Sequence, residues 1–310
     1  MKSAVQLAIC FFVVFVLVPS ITVLAQTRYW GNPFVRNFTT EDFNGGIQSW
    51  GIVQDSREVI YIANNFGLLE YDGAEWNRYP VNNGTKVRSL YTSKSQGRVY
   101  VGSQADFGYF APNKLGNLQY YSLKSLIPEQ HRNFDEVWRI YEIDGNIYFT
   151  TFKNIFIYSP NNKIRVVAPN NPLELSFKVR NSLYTMAWGK GLSELDNGKL
   201  KVLPGGEKFA QSRIASILPL DQTQLLIFTV QDGIYVYNGV NPVPMKMEDE
   251  DILQHLVINQ AVLLKDGTYA MGTQNDGLFI MNKQGALLLH LTKSDGLYDN
   301  TIHTLYQDVH

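Results

Sequence analysis

The chain has 310 residues with 27 Lys+Arg against 28 Asp+Glu; aromatic residues make up 13% of it and charged ones only 18%. That much apolar surface excludes a disordered chain, and a near-neutral charge with no basic cluster excludes nucleic acid as a partner. The single cysteine, Cys10, permits no intrachain disulfide, and no Cys/His spacing resembles a zinc site, so neither a metal nor a cofactor is expected.

The first predicted element is an export signal. Met1 and Lys2 give a positive start, and residues 4–18 carry no charge. A run of about fifteen apolar residues is short for a helix that must cross roughly 30 Å of hydrocarbon. Pro19 and Ser20 end the run, and Val23-Leu24-Ala25 places compact residues where a signal peptidase reads, which puts cleavage before Gln26. An uncleaved membrane anchor is the alternative reading. With residues 1–25 removed as a signal peptide, Cys10 leaves too, and a chain without cysteine suits a bacterial periplasm or cell exterior. Residues 26–46 read as a lead-in strand region.

From residue 47 onward one pattern recurs. The segment IYIANNFGLLEYDG from Ile60 has counterparts beginning at Val99, Ile147, Tyr184, Leu226 and Tyr269. Aligned on the residue that opens the second half, the copies fall at Gly67, Gly108, Asn154, Gly191, Gly233 and Gly277. Asn154 stands for glycine once, as expected where the backbone needs a positive φ. Each copy reads as an apolar strand, a turn, a β-branched and aromatic strand, the glycine turn, a third strand and a variable fourth. Four short strands repeated about every 40 to 45 residues predict an all-β fold, a β-propeller of four-stranded blades, about six to seven in this chain. Tyr61, Tyr100, Tyr148, Trp188, Phe228 and Tyr235 are expected in the packing between blades. Short helices are expected within residues 123–137 and 251–256, as blade caps. The stretch TIHTLYQDVH from Thr301 restarts the unit, so the last blade is incomplete: either this is the front of a longer protein, or residues 27–46 close the ring by pairing with residues 301–310.

The repeat seen best in DGTYAMGTQNDGL, Asp266 to Leu278, with LYQDVH from Leu305 starting another, resembles the two-component regulator propeller repeat. The opening from Phe43 is similar to the first blade of a subgroup in which the propeller precedes a triple-tyrosine domain, a membrane helix and a kinase or helix-turn-helix output. The third and fourth copies lack the Gly-Thr pair of that repeat. The resemblance implies the sensor region of an exported or periplasmic receptor, mostly of Bacteroidetes, with membrane contact only through regions outside this chain.

In a propeller the loop between the second and third strands opens on the same face as the entry to each inner strand. On that face the loops supply Asn65, Gln104, Asp106, Lys190, Gln231, Asp232, Gln274, Asn275 and Asp276, an amide- and carboxylate-rich set suited to hydroxyl-rich ligands, with Trp50, Trp138 and Trp188 as stacking surfaces. Tight turns before glycine favour the same residue types, which is the competing explanation. A second ring, from the residue after the first apolar position of each inner strand, comprises Gln48, Arg88, Trp138, Lys178, Asn259 and His303. Arg88 and Lys178 there would meet a carboxylate, for example of a uronic acid. The acidic run 248–251 reads as a solvated face, and no catalytic residue is assigned. The expectation is a non-enzymatic ligand-sensing propeller for a small-molecule or oligosaccharide ligand, with a homodimer open to it. A polysaccharide lyase or hydrolase using His303 with Asp106 or Asp276 is the rival, and a protein-interaction platform is a third reading.

Overall fold

Runs of β-branched and aromatic residues closed by Gly, Asn or Asp become strands, because a pleated strand buries side chains on both faces and the turn residues reverse it cheaply. The computed structural model describes residues 34–309, Lys94 and Gln254 excepted; the signal peptide, its cleavage point and Cys10 lie outside the described residues. Among the described residues, the strands form six four-stranded antiparallel sheets, each built from four strands consecutive in sequence. These are propeller blades spanning residues 49–79, 87–122, 139–167, 173–202, 214–244 and 258–291. The first strand of each blade is the innermost, and successive first strands pack side by side.

Blade packing explains the apolar composition. Five hydrophobic clusters fill the five interfaces between successive blades. Between blades 2 and 3, for example, Phe107 stacks on Phe149 with ring centroids 4.2 Å apart. Each fully buried ring or aliphatic side chain contributes about 1.5–3 kcal/mol relative to exposure. Tyr61, Tyr100 and Phe228 are fully buried as expected, and Tyr148 and Tyr235 are half-buried. Trp188 differs: it is 46% exposed, because it lies past the end of its strand in the glycine turn.

Blades 6 and 1 are joined differently. Residues 301–309 run between their inner strands: Ile302 N donates to Thr273 O (2.8 Å), Leu305 N to Gln260 Oε1 (2.8 Å) and Val309 N to Gln54 Oε1 (2.9 Å). Outside this segment lies a cleft of about 540 Å³, faced by Ile52, Ile62 and Trp76 of blade 1 and Val262, Leu264 and Ile280 of blade 6.

The lead-in differs from a strand in its described part. Residues 35–48 hold a helical turn, Thr40–Phe43, whose entry is closed by Thr39 N donating to Asp42 Oδ2 at 2.6 Å. A Thr-x-x-Asp spacing favours that turn over extension. The expected helix in residues 123–137 is two 3-10 turns, Lys124–Leu126 and Glu129–His131, while a short α-helix does form at Glu250–Leu253. No helix among the described residues is long and apolar enough to cross a membrane.

The recurrent glycine answers to space as well as to backbone angle. A Cβ on Gly108 would sit 2.1 Å from Tyr121 O, and one on Gly277 2.1 Å from Leu291 O, so the turn presses against the end of the outer strand. Asn154 does not have a positive φ, contrary to the expectation that it replaces glycine for that reason. What fixes this turn is the hydroxyl of Thr151, just past the end of the preceding strand. Thr151 Oγ1 donates to Asn154 O (3.1 Å) and accepts from Asn154 N (2.8 Å); in the same way Thr229 Oγ1 donates to Gly233 O and accepts from Asp232 N, and Thr273 Oγ1 donates to Gly277 O and accepts from Asp276 N.

Candidate functional site

Five of the six inner strands enter their blades through an irregularity, and only that of blade 3 pairs regularly from its first residue, Arg139. Pairing with the second strand skips Trp50 in blade 1, Arg88 in blade 2, Glu174 and Leu175 in blade 4, Ala215 in blade 5 and Asn259 in blade 6. An unpaired residue at such a bulge is re-aimed out of the sheet. Here most of these residues turn toward the channel, where Trp50, Arg88, Trp138, Glu174, Asn259 and His303 line one cavity of about 390 Å³. Arg139, Phe152, Leu175 and Arg213 complete the lining.

Half of this lining is a continuous stack. Arg88 lies between two indoles, its Cζ 3.6 Å from the Trp50 ring centre and 4.5 Å from that of Trp138. Trp138 in turn stacks on Phe152 at 4.7 Å with 16° between planes, and His303 stands 6.3 Å beyond Trp50. The indole N–H of Trp50 donates to Asn65 Oδ1 at 2.8 Å, which fixes the ring's rotation. Arg88 is itself neutralised: its Nε and Nη2 lie 2.7 and 2.6 Å from Glu136 Oε2, while Lys86 Nζ takes Oε1 at 2.5 Å. Arg88 Nη1 and Trp138 Nε1 are buried donors without an acceptor among the described residues. Beside Glu136, burial raises the Asp135 carboxyl above its ordinary value, outweighing its backbone hydrogen bonds and Lys153.

The other half of the lining is polar. Arg139 donates from Nη1 to the Trp138 carbonyl at 3.0 Å, and neither Arg139 nor Arg213 is ion-paired among the described residues. Asn259 donates from Nδ2 to Ile302 O (3.1 Å), which leaves its Oδ1 as an acceptor. Glu174 is the one carboxylate among the lining residues.

Of the residues anticipated from sequence, the structure brings Arg88, Trp138, Asn259 and His303 together with Trp50. Gln48 is displaced by Trp50 from the channel position of blade 1, since the strand begins at Ser49 and the preceding Ile47 is 91% exposed. Gln48 instead contacts Asn65 Nδ2 through Oε1 at 3.4 Å. Lys178 sits toward the opposite end of its strand and donates to Glu142 O at 2.6 Å; Glu174 and Leu175 hold the channel position. Asp106 is buried, its Oδ1 accepting from Phe107 N (2.8 Å) and Ser122 Oγ (2.7 Å), so it holds the turn. Gln104 accepts at its backbone carbonyl from Asn83 Nδ2. Trp188, Lys190, Gln231, Asp232, Gln274, Asn275 and Asp276 are exposed loop residues that do not line the cavity. Of the missed contributors, Glu174 and Leu175 sit in the blade 4 bulge, Arg139 opens the inner strand of blade 3, Arg213 immediately precedes that of blade 5, and Phe152 lies just past the second strand of blade 3, so no single spacing in the sequence finds them.

By sequence, no known family and no curated protein matches the chain. By structure it is similar to the extracellular domain assigned to the hybrid two component system BT4673 of B. thetaiotaomicron, with a TM-score of 0.65 and 19% identity over 84% of this chain and 36% of that one. A second such domain, of BT3049 from the same organism, gives 0.65 and 15% over 89% of this chain and 39% of the other. Virginiamycin B lyase from Staphylococcus aureus gives 0.59 and 14% over 80% and 84%. The chain thus spans little more than a third of the two extracellular domains it matches. At these identities the likeness is one of fold, and the fold is the β-propeller.

Proposed function

We propose that this propeller is the extracytoplasmic ligand-sensing part of a bacterial signal-transduction receptor, and that it binds a carbohydrate-like ligand at the channel mouth. The carrying observation is the stack His303–Trp50–Arg88–Trp138–Phe152 facing an accepting amide and unpaired guanidiniums across one cavity. Flat aromatic walls suit sugar rings, and convergent polar groups suit their hydroxyls. Support for the sensing role comes from the neighbours' extracellular two component domains. Export is proposed on the apolar N-terminal run. We read the ring as seven-fold, with residues 301–309 as the innermost strand of a seventh blade and His303 at its channel position. The Ile302 N to Thr273 O bond at 2.8 Å repeats the Val137 N to Ser103 O bond at 3.2 Å, the handover from blade 2 to blade 3.

A panel of oligosaccharides screened by thermal shift tests the reading. The expected result is a raised Tm for at least one glycan, with no glycan turned over. Binding of another ligand class and of no glycan sinks the carbohydrate assignment. Glycan cleavage that disappears in His303→Ala replaces the sensor with the lyase or hydrolase reading.

A further inference from the structure

Resting on that reading, we infer that the ligand carries a carboxylate, a uronic acid residue, and that Arg139 and Arg213 read it. The charges at the mouth divide into spent and unspent. Arg88 and Lys86 share the one carboxylate of Glu136 inside the wall, with only Arg88 Nη1 left without an acceptor there. What remains is Arg139 and Arg213, neither ion-paired among the described residues, against the single carboxylate of Glu174. The chain as a whole has a net charge of −1, so a cationic surplus at this spot is not a by-product of a basic protein.

Geometry favours an acidic sugar over a simple anion. Phe152, at the end of the stack, has one face taken by Trp138 and lines the cavity with the rest of its ring, a surface that suits the C–H face of a pyranose, and Asn259 Oδ1 accepts a hydroxyl. The cavity of about 390 Å³ falls within the usual range for small-ligand sites and exceeds what a lone carboxylate fills. A neutral sugar in the same place would offer two guanidiniums only hydroxyl acceptors in exchange for water, whereas a carboxylate returns stronger hydrogen bonds between opposite charges.

The test is calorimetry with the full chain. The probes are di- and trisaccharides of galacturonate, glucuronate and mannuronate, each paired with the same sugar reduced at C6 to the neutral hexose. At least one acidic probe is expected to bind, with its reduced partner at least about tenfold weaker and the affinity falling as salt rises. Arg139→Gln with Arg213→Gln is expected to remove most of the preference for the acid while leaving Tm nearly unchanged. Equal binding of acidic and reduced forms overturns the carboxylate assignment and leaves the carbohydrate reading standing. Failure of every acidic and neutral sugar overturns both.

Discussion

The guanidinium of Arg88 lies over the Trp50 indole, Cζ 3.6 Å from the ring centre, while its Nη2 holds Glu136 Oε2 at 2.6 Å. The Arg88 side chain is 8% exposed and that of Glu136 15%, so this pair ties the inner strand of blade 2 to the entry of blade 3 largely out of water. Removing one member of such a pair leaves the other charge short of a partner. Arg88→Ala is expected to cost about 3 kcal/mol in urea unfolding, the lower end for a buried pair because Lys86 stays on Glu136. Arg88→Met with Glu136→Gln should recover more than half of that loss. A cost below about 0.5 kcal/mol for Arg88→Ala would show that the pair is not holding the blades together.

The repeat glycine makes two different demands, and one substitution tests both. Gly277 (φ +80°) and Gly233 (φ +86°) share a left-handed backbone. A Cβ at Gly277 would meet Leu291 O at 2.1 Å, whereas Gly233 has nothing within 4 Å. Gly233→Ala should therefore cost only the backbone penalty, about 1 kcal/mol. Gly277→Ala adds a collision with the outer strand and should cost at least about twice as much. Equal losses in denaturant midpoint would rule out the close approach as the reason for that glycine.

High pH should loosen the blade interfaces. Tyr91 and Tyr269 both have their phenols pushed up to about 12, mainly by burial and next by the carboxylates of Glu142 and Asp221 respectively. Because the folded state holds these protons more tightly than the unfolded state, their stabilising contribution is full below pH 10, the ordinary phenol value, and is lost as pH rises toward 12. Tyr269→Phe removes the hydrogen bond to Pro219 O (2.8 Å) at a cost of about 1 kcal/mol near neutrality. The variant should then lose less stability than the parent between pH 10 and 12. Unfolding midpoints across that range check it, and parallel curves for the two proteins would refute it.

The fold was legible because repetition multiplies weak signals. No single copy is decisive, but a period shared by Gly67, Gly108, Gly191, Gly233 and Gly277 leaves few architectures. The site was legible only where strand entries follow the rule that the channel residue succeeds an apolar one, as Arg88, Trp138, Asn259 and His303 do. Ile47 lies ahead of the blade 1 strand and Phe177 is the fifth residue of the blade 4 strand, so counting from them lands on Gln48 and Lys178 instead of Trp50 and Glu174, although Glu174 does follow the apolar Leu173. The loop amides pointed elsewhere for a physical reason: Asp232 and Asp276 sit in turns whose amides bond the threonine hydroxyl before them, which needs neither a ligand nor a channel.

Two tryptophans that the sequence treats alike should separate in binding. Trp138 faces the cavity and is stacked between Arg88 and Phe152, whereas Trp188 is 46% exposed in the glycine turn of blade 4 and does not line the cavity. If the ligand lies in the channel mouth, Trp138→Ala removes the ring that holds Phe152 and Arg88 in place at the cavity and should weaken glycan binding at least about tenfold, the scale of a buried aromatic contact. Trp188→Ala should change it less than about twofold. Trp138→Phe keeps a ring on Phe152 and beside Arg88, so it should retain most of the affinity and guards against reading a folding defect as a binding one. Intrinsic fluorescence gives a second readout, since ligand-induced quenching should persist in Trp188→Phe and shrink in Trp138→Phe. The opposite pattern, with affinity and quenching both following Trp188, would move the site from the channel mouth to the exposed loops, where Lys190, Gln231 and Gln274 would become its contacts.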